Sequence, residues 1–395
     1  MFFQQSFTVL SKAVVPLIAP AALPVLGAPA AYVGVFVSIT AVVQMFVNMG
    51  CGNFIRRYGG LRVSQVGLIL VLIGMACAAV GVLWTFVLTA ILVGLGTGAG
   101  TPASSHILSR YAPPRWAPVV FSAKQTSVPV GQAISGAMMP VFVTLFGWQG
   151  ALLAIGALCA VFAVILQPIR AELDKDRVPN QRLSLGDLKT TMMVVLRHRG
   201  LRRLAVVTFA FVGLQTTYTT YVVLFLTEKL DFTLAEASGG MFATAMAAAI
   251  PTRILWGYVA STWLGASMVL GCLAVGMSVG TAVTGLYAKD WADWQLVAVS
   301  IVVTSTALGW QGVLLSEIAR LSPAGQVGSA TGGVLAFSSL GQVVMPLLFS
   351  GILAVSHNYT IGFYVTAVPA MLVGIMLFMG GVDGKPAAGA VTPPA

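Results

Sequence analysis

The sequence predicts an all-α membrane protein: twelve transmembrane helices in two pseudo-symmetric six-helix bundles. Three observations carry that expectation. The 395 residues are 58% hydrophobic and 8% charged, with a mean hydropathy of +0.93, whereas a soluble domain carries about 25% charged residues. Apolar runs of roughly 20 residues or more, enough to cross a bilayer, recur twelve times. Arginine and lysine collect in the joints that follow the even-numbered runs. Lipid must be the solvent for most of such a chain.

The rest of the composition fits. Forty-three glycines and 19 prolines would break soluble helices, but membrane helices tolerate both. Cys51, Cys77, Cys159 and Cys272 stand isolated in apolar runs, and the three histidines are far apart, so neither a disulfide framework nor a metal or other cofactor is expected. The net charge of +10 does not imply nucleic acid, because the basic residues lie in short joints as positive-inside topology requires. The opening stretch holds Lys12 inside its apolar run and lacks a small-residue cleavage motif. It reads as a first spanning helix, not a removed signal.

In order, the apolar segments are Gln4–Val25, Tyr32–Ile55, Arg62–Val82, Phe86–Leu108, Trp116–Phe146 and Trp148–Pro168, with a close joint at Gly147. After a polar break come Leu204–Thr227, Ala235–Val259, Leu264–Tyr287, Trp291–Glu317, Val327–Val355 and Tyr359–Gly380. Residues 1–169 and 204–381 form the two expected bundles, joined by a cytoplasmic linker over 170–203 with a short amphipathic helix near Leu185–Leu196. A Pro/Ala/Gly-rich tail over 382–395 is expected to be disordered. Arg56, Arg57 and Arg62 follow segment two, Arg110 and Arg115 segment four, eight basic residues from Lys175 to Arg203 segment six, Arg320 segment ten and Lys385 segment twelve. Both termini are therefore expected in the cytoplasm. In the opposite loops, Lys229 and Lys289 are each offset by nearby acids.

The halves echo each other. Segment five carries Gly131-Gln132 then Met139-Pro140, and segment eleven carries Gly341-Gln342 then Met345-Pro346. Gly52 to Gly59 is echoed by Gly257 to Gly265. Segment four adds Gly94, Gly96, Gly98 and Gly100, a face on which helices approach closely. Duplicated halves with a site near the midplane are a common transporter design.

The candidate site is built from rare charges. Arg253, in Pro251-Thr252-Arg253 one turn before Gly257, and Lys12, between Val9 and Pro16, stand inside apolar segments. A cation there is costly and is read as functional. Arginine suits a carboxylate held by two parallel hydrogen bonds. Lys124 opens segment five and is a third candidate. Segments one to nine have no Asp or Glu at their centres, so an anionic solute, with a proton travelling alongside, is the expected cargo. Polar and aromatic residues complete the expected lining: Gln44 and Asn48 one turn apart, Tyr218, Tyr221, Trp310, Gln311, Ser338 and Gln342. Glu317 is expected to pair with Arg320 three residues on. A cation exporter should carry buried acids, a symmetric pore should carry a ring of like groups, and an enzyme should show a nucleophile–base or metal set. None of these is present in the pattern.

The joint Gly52-Asn53-Phe54-Ile55-Arg56-Arg57-Tyr58-Gly59-Gly60 resembles the loop signature between the second and third helices of the major facilitator superfamily, which usually has Asp in the place of Arg56. Lys124-Gln125-Thr126-Ser127-Val128-Pro129-Val130-Gly131 and Trp310-Gln311-Gly312 are similar to stretches of bacterial anion-type carriers. Lys12 with Arg253 in an Arg-x-x-x-Gly setting resembles the pair in proton-coupled monocarboxylate and oxalate–formate carriers. The resemblance implies alternating access, Arg253 as carboxylate site, Lys12 as proton-coupling site, and Gly52, Arg56, Arg57, Gly59, Gly257, Glu317 and Arg320 as gate or loop residues. It implies a monomer in the bacterial inner membrane moving a small organic anion with a proton. Cyanate, nitrate, dicarboxylate and aromatic-acid carriage, by symport, uniport or exchange, stay open, as does drug or metabolite export.

Overall fold

A computed structural model describes residues 1–111, 120, 123–180, 193, 195–322 and 327–380. The chain is all-helical over these residues. Its elements are α1 (Phe2–Leu26), α2 (Ala31–Tyr58), α3 (Gly60–Ala79), α4 (Leu83–Gly98), α5 (Gly100–Tyr111), α6 (Ser127–Ile165), α7 (Arg170–Leu173) and α8 (Arg199–Lys229). A π-helix (Ala235–Phe242) then leads into α9 (Ala243–Thr262), followed by α10 (Gly265–Thr284), α11 (Asp293–Leu321), α12 (Val327–Ser356) and α13 (Tyr359–Gly380). Among the described residues ten helical stretches are long and apolar enough to span a membrane, one of them Ala123–Ile165. That stretch is broken by non-helical backbone at Gly147 (φ 70°, ψ 173°), where the sequence placed a joint between two segments. The expected amphipathic helix near Leu185–Leu196 lies mostly outside the described residues, and so does the tail from 381.

Contacts divide the chain into two compact units. The first holds Met1–Gly186 with Thr219–Ala247, and the second Asp187–Tyr218 with Ala248–Ala395. In the first, α1 and α3 pack on α6, while α4 packs on both α2 and α3. Glycines set those distances. Cβ atoms added to Gly94 and Gly98 would stand 2.8 Å from Thr40 O and 2.6 Å from Val47 Cβ on α2. One added to Gly96 would stand 2.4 Å from Gly67 O on α3. Successive alternate glycines on α4 thus serve two different neighbours, because two residues turn a helix by about 200°. α1 carries Pro16, Pro20 and Pro24 inside it and ends on Gly27 in the left-handed conformation (φ 60°), whose N–H reaches Leu23 O.

In the second unit α10 packs on α11 and α13. A continuous apolar core joins Phe211, Leu270, Met277, Trp310, Leu314 and Val373. Gly341 on α12 lies so close to α8 that a Cβ would come within 2.3 Å of Phe209 O. The repeat is visible in the first unit, where a Cβ on Gly131 of α6 would lie 2.7 Å from Ser6 O of α1.

Candidate functional site

Two cations inside the spanning helices are each held by a glutamine from a neighbouring helix. In the first unit Lys12 Nζ donates to Gln44 Oε1 of α2 at 2.9 Å. Among the described residues no carboxylate partners Lys12. Pro16 lies one turn further along α1, and Pro20 and Pro24 follow. Asn48 stands one turn along α2 from Gln44 and is half-buried.

In the second unit Arg253 is 7% exposed, and its guanidinium donates from Nη2 to Gln311 Oε1 of α11. It sits within α9, two residues after Pro251 and four before Gly257. A Cβ on Gly257 would meet nothing within 4 Å, whereas on α11 a Cβ at Gly309 would run into Trp256 at 2.4 Å. The arginine therefore enters from a helix pinned to α11 through an indole on a glycine. A planar fork with several N–H groups can hold an incoming carboxylate in two parallel hydrogen bonds.

Lys124, just ahead of α6, is 4% exposed. Its Nζ donates to Ser105 Oγ at 2.9 Å and Thr101 O at 3.4 Å on α5, so it folds inward onto a helix instead of extending to headgroups. Tyr218, Tyr221 and Trp310 are all buried to 2% exposure or less. The Trp310 indole donates to Ala307 O at 2.8 Å and Gln215 Oε1 at 3.3 Å and stands edge-on to Phe211. Ser338 donates within its own helix to Leu335 O, and Gln342 is half-buried on α12. Glu317 accepts from Arg320 Nε at 3.0 Å and Nη2 at 2.5 Å, as the three-residue spacing predicts. An apolar cavity of about 310 Å³ lies in the first unit beside Ile18, Phe36, Trp84 and Val87, and none of the three cations lines it.

The loop signature holds a group that sequence reasoning missed. Gly52 and Arg56 are exposed, and Arg57 lies over the Tyr58 ring. Gly59 takes φ 95° and ψ 146° between α2 and α3. Where the superfamily usually has an acid, Arg56 stands, and the acid at this joint comes from elsewhere. Asp174, 5% exposed, accepts from the N–H groups of Leu61 at 2.8 Å and Arg62 at 3.1 Å. It caps the first turn of α3 as a carboxylate at a helix N-terminus does. A Cβ on Gly59 would lie 2.2 Å from its carboxyl carbon. Two residues on, Asp176 binds His106 at 2.6 Å and also Arg110, both on α5. The signal was available: Glu172, Asp174 and Asp176 cluster at the start of a basic linker whose one other acid is Asp187.

Comparison with known proteins bears on this arrangement. The model of the Major Facilitator Superfamily matches residues 1–317. The 4-hydroxybenzoate transporter PcaK of Pseudomonas aeruginosa is 30% identical over 158 residues, 40% of this chain and 35% of that protein. Its Pseudomonas putida counterpart is 31% identical over 160 residues, again 40% and 35%. The match spans about a third of the length of these curated relatives. Among solved structures, a bacterial homolog of the human lysosomal transporter Spinster superposes with TM-score 0.75 at 13% identity, covering 96% of this chain and 94% of that one. The peptide transporter POT in complex with sulfate gives 0.75 at 17% identity, covering 96% and 92%. At these identities the likeness is one of fold.

Proposed function

We propose that this chain, which belongs to the Major Facilitator Superfamily, is a secondary transporter of a small organic anion, bound through its carboxylate and moved with a proton by alternating access. The observation that carries the reading is the charge pattern of the spanning helices. Lys12 and Arg253 are set among apolar residues and tied to the neutral carboxamides of Gln44 and Gln311, and the helices offer no central acid in segments one to nine. An anionic solute is the complement of such cations, and the low-dielectric setting that makes a cation costly also makes an anion's binding strong.

Roles follow from chemistry. The fork of Arg253 orients a carboxylate, with Gln311 setting its rotamer. Lys12 can release and rebind a proton where Arg cannot, so it is the coupling group. The similarity to PcaK favours an aromatic acid among carboxylates, with a simple monocarboxylate as the alternative. The twelve crossings comprise the ten spanning stretches, with Ala123–Ile165 counted as two about Gly147, and the helix through 235–262. They form bundles over 1–169 and 204–381, in the bacterial inner membrane, with both termini in the cytoplasm and the monomer as working unit.

The test is uptake into proteoliposomes of labelled 4-hydroxybenzoate, lactate, oxalate, cyanate and nitrate, with and without an inward proton gradient. Gradient-driven carboxylate uptake that is lost in Arg253→Ala supports the reading. Transport restricted to neutral or cationic solutes, or full carboxylate uptake in Arg253→Ala, overturns it.

A further inference from the structure

We propose that Lys124 and the polar groups around it form a second carboxylate-binding station in the first unit, reached from Lys12 along one face of α1. The proposal rests on the reading of Lys12 and Arg253 as anion sites. Lys124 is 4% exposed, yet both its partners, Ser105 Oγ and Thr101 O, are neutral oxygens. Among the described residues no carboxylate compensates it. An ammonium has three donors, and a buried cation with no counter-charge is strongly destabilising unless something neutralises it. Static packing of α6 on α5 needs no charge here, since a glutamine could make the same two bonds.

The surroundings suit an anion. Ser127, one turn beyond Lys124, has a buried hydroxyl with no hydrogen-bond partner. On α5, Thr101 Oγ1 exchanges hydrogen bonds with the carboxamide of Gln5 at 3.1 and 3.2 Å.

Gln5 connects this station to Lys12. Gln5, Thr8 and Lys12 are spaced by three and four residues on α1, which sets them on one helical face. Seven residues rise by about 10 Å, so Gln5 stands two turns along α1 from Lys12, and Gln5 in turn bonds Thr101, whose carbonyl accepts from Lys124. Gly100 keeps α5 close to this face, since a Cβ there would stand 3.0 Å from Thr8 Oγ1 and 3.1 Å from Gln4 Nε2. The result is a polar ladder from Lys12 through Thr8 and Gln5 to Thr101, Ser105 and Lys124. A solute released from Lys12 would be handed to Lys124 on its way to one membrane face.

The experiment measures KM for labelled 4-hydroxybenzoate and lactate separately from each face, by uptake and by efflux, in proteoliposomes of the full chain. Lys124→Gln should raise KM at one face by roughly tenfold and leave the other within about twofold, as loss of a charged hydrogen bond predicts. Lys124→Arg should restore most of the loss. Where Lys124→Gln does not accumulate, Ser105→Ala, which removes a ligand of the ammonium and keeps the charge, should alter KM at that same face only. Equal changes at both faces, or a lowered melting temperature with both KM values unchanged, assign Lys124 to packing and overturn the proposal while leaving Arg253→Ala to judge the anion site. A wild type that moves no carboxylate removes both.

Discussion

The two glutamine-bound cations make an informative pair. Lys12 leans on Gln44 from a helix interrupted by prolines and stays half-buried. Arg253 leans on Gln311 from a helix locked to α11 by Trp256 on Gly309, and is nearly sealed off. Each donates to a carboxamide oxygen, a neutral acceptor that orients the cation. They differ in what the cation can do next. Guanidinium keeps its proton and offers a rigid fork, whereas an ammonium is a point charge that can lose its proton when desolvated. On the proposed reading that contrast becomes a division of labour, with recognition in the second unit and coupling in the first.

Breaking that division should have unequal effects. The largest is expected for Arg253→Ala, which should lower carboxylate kcat/KM by a hundredfold or more, since removing a buried charge partner costs roughly 3 kcal/mol or above. Uptake and solute-dependent thermal shift should vanish together. Lys12→Ala should spare exchange of labelled for unlabelled solute yet abolish the response to a proton gradient. Exchange lost as completely as uptake would erase the distinction between the two cations. Reciprocal swaps sharpen it: Arg253→Lys should keep coupling and lose about tenfold in affinity with the second hydrogen bond, and Lys12→Arg should bind solute but ignore pH.

Smaller effects follow for the orienting groups. Gln311→Ala should raise KM by roughly fivefold to tenfold, as a lost hydrogen bond to a charged group predicts, and Gln44→Ala should act on gradient response more than on KM. Smallest for transport is Asp174→Asn at the α3 cap, distant in role from both cations. It should lower stability by about 1 kcal/mol, read as melting temperature in detergent, with KM unchanged.

The membrane fold was legible in the sequence because lipid imposes a crude and strong rule. Long apolar runs must become helices, and short basic joints mark their exits. The Gly147 break, the Glu317–Arg320 pair and the repeat of Gly131 in Gly341 were all readable from spacing. Lys12, Arg253 and Lys124 stood out for the same reason, as charges where charge is expensive. Their partners were not legible. Nothing in the chain order links Lys12 to Gln44, Arg253 to Gln311, or Lys124 to Ser105, because helix rotation about its axis decides which residues of two neighbours meet. Tyr218, Tyr221 and Trp310 looked alike in the sequence as aromatic lining, and packing alone put all three rings inside the protein. Asp174 is the clearest case. The acid expected at the second joint is replaced there by Arg56, and a residue more than a hundred positions away caps α3 in its stead. A helix N-terminus attracts any carboxylate the fold can deliver, and only the tertiary structure decides which one arrives.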